Sequence, residues 1–81
     1  MTSVVLYTMP NCPQCNATKK YLERDRIEYS TVDISTDEKA YELVSSLGYK
    51  QAPVVVAGDT HWSGFRPDKI ASLKALVPTK E

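Results

Sequence analysis

The 81-residue sequence predicts an α/β fold in which three helices flank a four-stranded mixed sheet, in the order βαβαββα. Three short runs rich in β-branched residues predict buried strands, and segments with helical periodicity follow the first two of them. Proline and glycine mark the ends of these segments. Strands joined through a helix run parallel, whereas a hairpin adds an antiparallel strand, so the predicted sheet is mixed.

The first part of the chain predicts a strand, a helix and a second strand. Residues 3–7 read Ser-Val-Val-Leu-Tyr, an apolar run typical of a buried strand. Pro13 occupies the first helical position, where its missing N–H removes no hydrogen bond. The helix continues over residues 16–25, and residues 28–34 are rich in strand-forming side chains. One face of the helix is expected to carry Cys15, Thr18, Tyr21 and Leu22.

A second helix is predicted to follow the second strand. Ser35, with Glu38 three positions later, has the pattern of a capping box, which predicts Ser35 as the N-cap. Gly48 is expected to end the helix, because glycine readily adopts the left-handed backbone that follows a helix. The inward side chains are predicted from their spacing to be Ala40, Leu43, Val44 and Leu47.

The last third of the chain predicts a hairpin and a closing helix. Residues 53–57 form a third strand that begins at Pro53, a position where strands tolerate proline. A Gly-Asp turn follows, and residues 60–63 are expected to pair back on the third strand. Pro67 begins the last helix and Pro78 ends it. Its inward side chains are predicted to be Ile70, Leu73, Leu76 and Val77.

Composition and charge exclude several classes of function. Ten Lys and Arg residues balance ten Asp and Glu residues, so the charge favours neither nucleic acid nor an anionic membrane as a partner. The N-terminal residues lack the charged and apolar regions of a signal peptide, and no stretch is long enough to span a membrane. We therefore expect residues 1–81 to form one cytoplasmic domain that is monomeric.

Both cysteines of the chain stand in the stretch Met-Pro-Asn-Cys-Pro-Gln-Cys, at positions 12 and 15. Cys12 follows the first strand and directly precedes the first helical residue, where free N–H groups and the helix dipole favour a thiolate. Cys15 lies one turn further on and is expected to be deeper. This asymmetry suits dithiol exchange, in which Cys12 attacks a partner's disulfide and Cys15 then attacks the Cys12 sulfur.

Three other interpretations of the cysteine pair are open. A permanent disulfide is disfavoured in a reducing cytosol, and so short a loop would constrain the unfolded chain little. A zinc site needs about four ligands, and His61 is the one nitrogen candidate, while a cluster bridged between two chains would need outside ligands. Two inert core cysteines are the remaining alternative. The position between a strand and a helix favours the redox pair.

Pro53 also has two interpretations: it begins an edge strand, or it follows a cis Ala52–Pro53 bond that turns the backbone against the cysteines. Because only about 5–6% of X–Pro bonds are cis, the sequence pattern does not decide between them.

Three motifs carry a resemblance over nearly the whole chain, namely CPQC, QAPVVV and HWSGFRPDKI. Together they resemble the NrdH-redoxins, small glutaredoxin-like proteins of the thioredoxin fold.

The resemblance implies a thioredoxin fold with Ala52–Pro53 in cis, facing the two cysteines. It implies that Cys12 is the nucleophile, that Cys15 is the resolving thiol, and that no cofactor is bound. Such proteins are reduced by thioredoxin reductase at the expense of NADPH. They pass electrons to the large subunit of class Ib ribonucleotide reductase, so this electron-donor role is the predicted function.

A glutathione-dependent glutaredoxin is the first alternative, and a metal- or cluster-binding module is the second. Glutaredoxins usually hold glutathione with a Gly-Gly pair and a following acidic residue, whereas this chain has Ser63-Gly64-Phe65-Arg66. Many also have a lysine where Met9 stands. Both differences argue against tight glutathione binding, and Met9 suits either packing or an apolar partner surface.

The residues expected to contact a substrate or partner lie around the cysteines. Trp62 and Phe65 are core residues by default and docking residues by resemblance, and His61 is expected to be an exposed strand residue rather than a general base. The full predicted set is Met9, Pro13, Gln14, Ala52, Pro53, Val54, Trp62, Ser63, Gly64 and Phe65.

Overall fold

The computed structural model describes residues 4–75 and contains the predicted order of elements. Four strands and three helices alternate as βαβαββα, which confirms the fold class. Their bounds are β1 Val4–Thr8, α1 Pro13–Arg24, β2 Ser30–Asp33, α2 Glu38–Ser46, β3 Val54–Ala57, β4 Thr60–Ser63 and α3 Pro67–Leu73. None of the helices within residues 4–75 is long and apolar enough to cross a membrane.

The sheet has the strand order β2-β1-β3-β4, so β1 and β3 form its centre. β1 pairs with β2 in parallel and with β3 antiparallel, and β3 pairs with β4 antiparallel, as predicted for a mixed sheet. The register places Leu6 opposite Val55, and Val55 opposite Trp62. These three side chains therefore lie in one row on one face of the sheet.

Helices cover both faces of the sheet because apolar residues in β1 and β3 point alternately to either side. The first core cluster lies under α1 and α3; its buried members are Val4, Leu6, Leu22, Ile27, Val55, Ala57, Trp62, Ile70 and Leu73. The second lies under α2; its buried members are Tyr7, Ile34, Ala40, Val44 and Val54. Two small cores thus hold the sheet between two helical layers.

Helix α1 begins as the sequence predicts. Pro13 is its first residue and Cys12 is its N-cap. Cys15, Thr18 and Leu22 are buried, one helical turn or so apart. The Thr18 hydroxyl donates to the Gln14 carbonyl at 2.8 Å, which satisfies this buried polar group within the helix.

The predicted capping box at the start of α2 is wrong. The N-cap is Asp37, whose carboxylate accepts the Ala40 N–H at 3.0 Å. Ser35 instead bonds the Asp33 carboxylate through its N–H at 2.8 Å and its hydroxyl at 2.6 Å. These bonds hold the pKa of Asp33 below its usual value. An acidic side chain at the end of β2 therefore turns the chain before the helix can begin.

The other differences concern the ends and the inward faces of elements. The second strand spans only Ser30–Asp33, because these residues are the ones that pair with β1. Leu43 is 44% exposed, so its predicted inward position is wrong, whereas Ala40 and Val44 are buried. Pro53 precedes a central strand rather than an edge strand. The predictions for Ser3, Leu76, Val77 and Pro78 lie outside the described residues.

Candidate active site

Three chain segments meet at one edge of the sheet, where β1 and β4 end and β3 begins. They are the start of α1 with Cys12, the Ala52–Pro53 turn, and the loop after β4 that contains Gly64 and Phe65. The Cys12 thiol lies 3.9 Å from the Ala52 carbonyl oxygen. The Gly64 N–H donates to the Pro53 carbonyl at 2.8 Å, so that the loop is bound to the turn.

Cys12 lies where its sulfur receives a backbone hydrogen bond. The Cys15 N–H donates to Cys12 Sγ at 3.2 Å, and the side chain is partly exposed. Asn11 has a left-handed backbone with φ of 57°, a conformation that asparagine tolerates better than most residues. The free N–H groups at the start of α1 and its dipole therefore point at a sulfur that solvent can reach.

Cys15 has a different environment from Cys12. It is 2% exposed, and burial raises the pKa of its thiol to about 11. The side-chain hydrogen bond with Cys12 and the charge of Cys12 raise this pKa further, while a hydrogen bond with the Met9 backbone and the charge of Lys19 lower it. Both cysteines are free thiols. The two thiols are thus unlike each other, one accessible and one held protonated.

The segments that face Cys12 come from distant parts of the chain. The Ala52–Pro53 peptide bond is cis, and Pro53 is buried while Ala52 is partly exposed. Gly64 has φ of 83°, which favours glycine at this point of the loop. The next N–H, that of Phe65, donates to Gln14 Oε1 at 3.2 Å. The loop is therefore bound both to the turn and to the active-site helix.

The sequence model of the Glutaredoxin family matches residues 4–62. The glutaredoxin-like protein NrdH of Salmonella typhimurium is 44% identical over 71 residues, which is 88% of each chain. That of Escherichia coli K12 is 40% identical over 86% of each chain. The solved structure of the Escherichia coli NrdH-redoxin has 39% sequence identity and a TM-score of 0.84, covering 88% of this chain and 93% of the other.

The chain belongs to the NrdH family. Its sheet and helices have the thioredoxin-like fold of that structure, and NrdH proteins are thiol–disulfide oxidoreductases. The resemblance found from the CPQC, QAPVVV and HWSGFRPDKI motifs is thereby confirmed.

The NrdH fold brings most of the predicted partner residues to one edge, but it does not expose all of them. Met9 is 42% exposed beside the cysteine pair, and Pro13 and Gln14 are also exposed. Trp62 is 4% exposed and Val54 fully buried, so both side chains pack in the core and present almost no surface to a partner. Ser63, Gly64 and Phe65 are partly exposed.

Aromatic and titratable side chains near the NrdH site mostly contact one another. Phe65 packs edge-on against Tyr21 of α1, with ring centroids 4.9 Å apart. His61 is exposed, as expected, and its Nδ1 lies 2.7 Å from the Tyr49 hydroxyl. Its hydrogen bond is thus to a tyrosine and not to a cysteine. Across residues 4–75, no three or more His, Cys, Asp or Glu side chains are grouped as a metal site would require.

Two features of the NrdH site were not found from the sequence. The left-handed backbone of Asn11 could have been suspected, because asparagine is enriched in that conformation. The Gln14–Phe65 hydrogen bond joins residues 51 positions apart and has no signature in a single sequence.

Proposed function

We propose that this protein is a cytoplasmic dithiol electron carrier, reduced by thioredoxin reductase and reducing the large subunit of class Ib ribonucleotide reductase. One observation carries the proposal. A partly exposed Cys12 sulfur receives the N–H of a buried Cys15 at 3.2 Å, beside the Ala52 carbonyl. This arrangement supports Cys12 as the thiol that attacks the partner and Cys15 as the thiol that reacts only in the second step.

In the first step the Cys12 thiolate attacks one sulfur of the partner's disulfide. The partner's S–S bond breaks, a Cys12–partner disulfide forms, and the other partner sulfur leaves as a thiolate that takes a proton from solvent. The Cys15 N–H and the start of α1 stabilise the attacking thiolate. Partial exposure of Cys12 gives a protein disulfide access to it.

In the second step Cys15 loses its proton and attacks Cys12 Sγ. The mixed disulfide breaks, the Cys12–Cys15 disulfide forms, and the partner's second sulfur leaves, so that the partner gains two electrons. Two of the causes that raise the pKa of Cys15 are the hydrogen bond and the charge of Cys12. Once Cys12 is in a mixed disulfide it is uncharged, so deprotonation of Cys15 becomes easier when the second step requires it.

The choice of thioredoxin reductase rests on three observations. The Escherichia coli NrdH-redoxin, to which the chain is similar, has a thioredoxin-like activity profile. Met9 presents an exposed, uncharged thioether next to the cysteines. The lysine that many glutaredoxins have at this position would instead favour an anionic ligand. Ser63 replaces one of the two glycines that glutaredoxins use for glutathione, and the bulky Phe65 and Arg66 follow Gly64. Together they favour a protein reductase over glutathione.

A coupled assay of NADPH oxidation tests the source of electrons. The oxidised protein is mixed with thioredoxin reductase or with glutathione and glutathione reductase, and a disulfide substrate is present in excess. We expect turnover at least about tenfold faster with thioredoxin reductase, a difference of about 1.4 kcal/mol in the barrier. Equal or faster turnover with glutathione would contradict the proposal and favour a glutaredoxin. The same mixture with a class Ib large subunit tests the electron acceptor.

A further inference from the structure

Cys15 must ionise in the second step of exchange, although its side chain is only 2% exposed. Burial raises the pKa of its thiol to about 11, which opposes that ionisation. Two groups lower this pKa against burial: a hydrogen bond with the Met9 backbone and the charge of Lys19. The Met9 group belongs to the backbone and is fixed by the fold, whereas Lys19 contributes through a side chain that a substitution can remove.

Helix α1 places Lys19 beside Cys15. The two residues are four positions apart in one helix, so they are neighbours on its surface, with Cβ atoms about 5–6 Å apart. Because helical side chains tilt toward the N-terminus, Lys19 extends back over the turn that contains Cys15. Lys19 is partly buried, whereas Lys20 is exposed and lies about 140° around the helix from Cys15. Of these two consecutive lysines, Lys19 is therefore the one that faces the buried thiol.

The charge of Lys19 is not neutralised by a carboxylate in the part of the chain that the structure describes. The salt bridges within residues 4–75 lie at the far end of α1 and at the start of α3, and none of them includes Lys19. Two other ionisable side chains near this edge have partners of their own: the Asp33 carboxylate binds Ser35, and His61 binds Tyr49. The positive charge of Lys19 is thus available to an anion at Cys15.

The charges around Cys15 change when Cys12 reacts. In the reduced protein the charge of Cys12 raises the pKa of Cys15, and the charge of Lys19 lowers it. Once Cys12 is in a mixed disulfide, its negative charge is gone and the positive charge of Lys19 remains. Lys19 therefore favours ionisation of Cys15 in the state in which Cys15 must attack.

We propose that Lys19 is a positioning residue for the second step, in which its ammonium group stabilises the Cys15 thiolate that attacks Cys12 Sγ. Lys19 does not take the proton of Cys15, which passes to solvent, and it forms no bond to sulfur. The inference rests on the proposed function in taking Cys12 as the first attacking thiol and Cys15 as the second.

The test follows both steps with one uncharged reagent, 2,2′-dithiodipyridine, in a stopped-flow absorbance measurement. Cys12 attacks the reagent, one thiopyridone leaves, and a Cys12–pyridyl disulfide forms. Cys15 then attacks Cys12 Sγ, the second thiopyridone leaves, and the Cys12–Cys15 disulfide forms. Excess reagent makes the first release fast. The second release is intramolecular, so its rate does not depend on the reagent concentration and it reports on Cys15.

Lys19→Gln is expected to slow the second release about threefold at pH 7. Loss of one nearby opposite charge lowers the thiolate fraction of Cys15 about tenfold, while the remaining thiolate, being more basic, attacks about threefold faster. The difference from the wild-type protein should narrow as the pH approaches 11, where Cys15 ionises in either protein. It should also narrow in 1 M KCl, which screens charges more than about 3 Å apart.

Two matched variants separate the charge of Lys19 from other effects. Lys19→Arg keeps a positive charge at the same position, so its second release should stay close to the wild-type rate. Lys20→Gln removes an exposed positive charge from the next position of the same helix, on a side that faces away from Cys15. Its second release should be unchanged at every pH and salt concentration.

Equal rates of second release in Lys19→Gln and the wild-type protein at pH 7 would overturn the inference. A slower release that persists at pH 11 and in 1 M KCl would also overturn it, since it would indicate altered packing, as would an equal effect of Lys20→Gln. Release of only one thiopyridone by the wild-type protein would overturn the proposed order of attack together with this inference. The coupled reductase assay tests the electron donor separately.

Discussion

Cys12→Ser is expected to abolish disulfide reduction, with turnover falling by more than about a thousandfold, because loss of the nucleophile of a serine protease lowers kcat by about a millionfold. A serine hydroxyl at this position is not ionised and does not form a stable bond to sulfur. Because Cys12 is partly exposed at the N-cap, serine also keeps a capping oxygen for α1, and the fold should persist. The measurement is reduction of a protein disulfide under steady-state conditions.

Cys15→Ser provides the matched comparison for the same reaction. Its Cys12 still attacks, but no second thiol can resolve the product, so a Cys12–partner disulfide should accumulate and be visible by non-reducing electrophoresis. The trapped complex should disappear on addition of dithiothreitol. Similar residual turnover in both single variants, without a trapped complex, would contradict the assigned order of attack.

Leu22→Ala is expected to cause the largest loss of stability among simple substitutions in α1. Leu22 is fully buried against the first core cluster, and truncation of such a leucine costs about 2–5 kcal/mol. Small domains are stable by only about 5–15 kcal/mol, so much of the folding free energy would be lost. Urea unfolding followed by circular dichroism gives the free energy of unfolding for wild type and variant.

Leu43→Ala is the control for this prediction. The same change of side chain is made in α2, but Leu43 is 44% exposed. Its free energy of unfolding should therefore stay within about 0.5 kcal/mol of the wild-type value. A loss in Leu43→Ala as large as that in Leu22→Ala would mean that α2 packs as its sequence periodicity predicts and not as the structure places it.

The order of elements was predictable because local patterns determine it. The β-branched runs and the positions of Pro13, Gly48 and Pro67 mark strands and helix ends, and the structure has them there. Gly48 has φ of 95°, and the Gly48 and Tyr49 N–H groups bond back to the last turn of α2. Periodicity alone, however, does not say how wide a helical face touches the sheet.

Leu43 and Ser35 show where local reasoning fails. Helix α2 is nine residues long, and its buried residues are Ala40 and Val44. Only a narrow face of the helix therefore packs against the second core cluster, and Leu43 lies beside that face. Ser35 had the right spacing for a cap, but the nearby carboxylate of Asp33 binds it more directly. Competition between two polar partners depends on three-dimensional geometry that the sequence pattern does not contain.

The candidate active site was predictable in the position of its two cysteines and less so in its surroundings. The C-x-x-C spacing after a strand identified both thiols, and the family motifs indicated the cis Ala52–Pro53 bond that the structure contains. The burial of Trp62 and the internal bond of Gln14 depend on packing between distant segments. For that reason a residue in a recognisable motif could not be assigned to docking or to packing in advance.

The most direct measurement for the whole account is the rate at which each cysteine is alkylated by iodoacetamide, followed by peptide mapping between pH 6 and 11. Because the thiolate is the reactive form and burial raises the pKa of Cys15 to about 11, Cys12 should be modified first and Cys15 should resist until the pH approaches that value. Comparable slow modification of both side chains at pH 7, or earlier modification of Cys15, would contradict it.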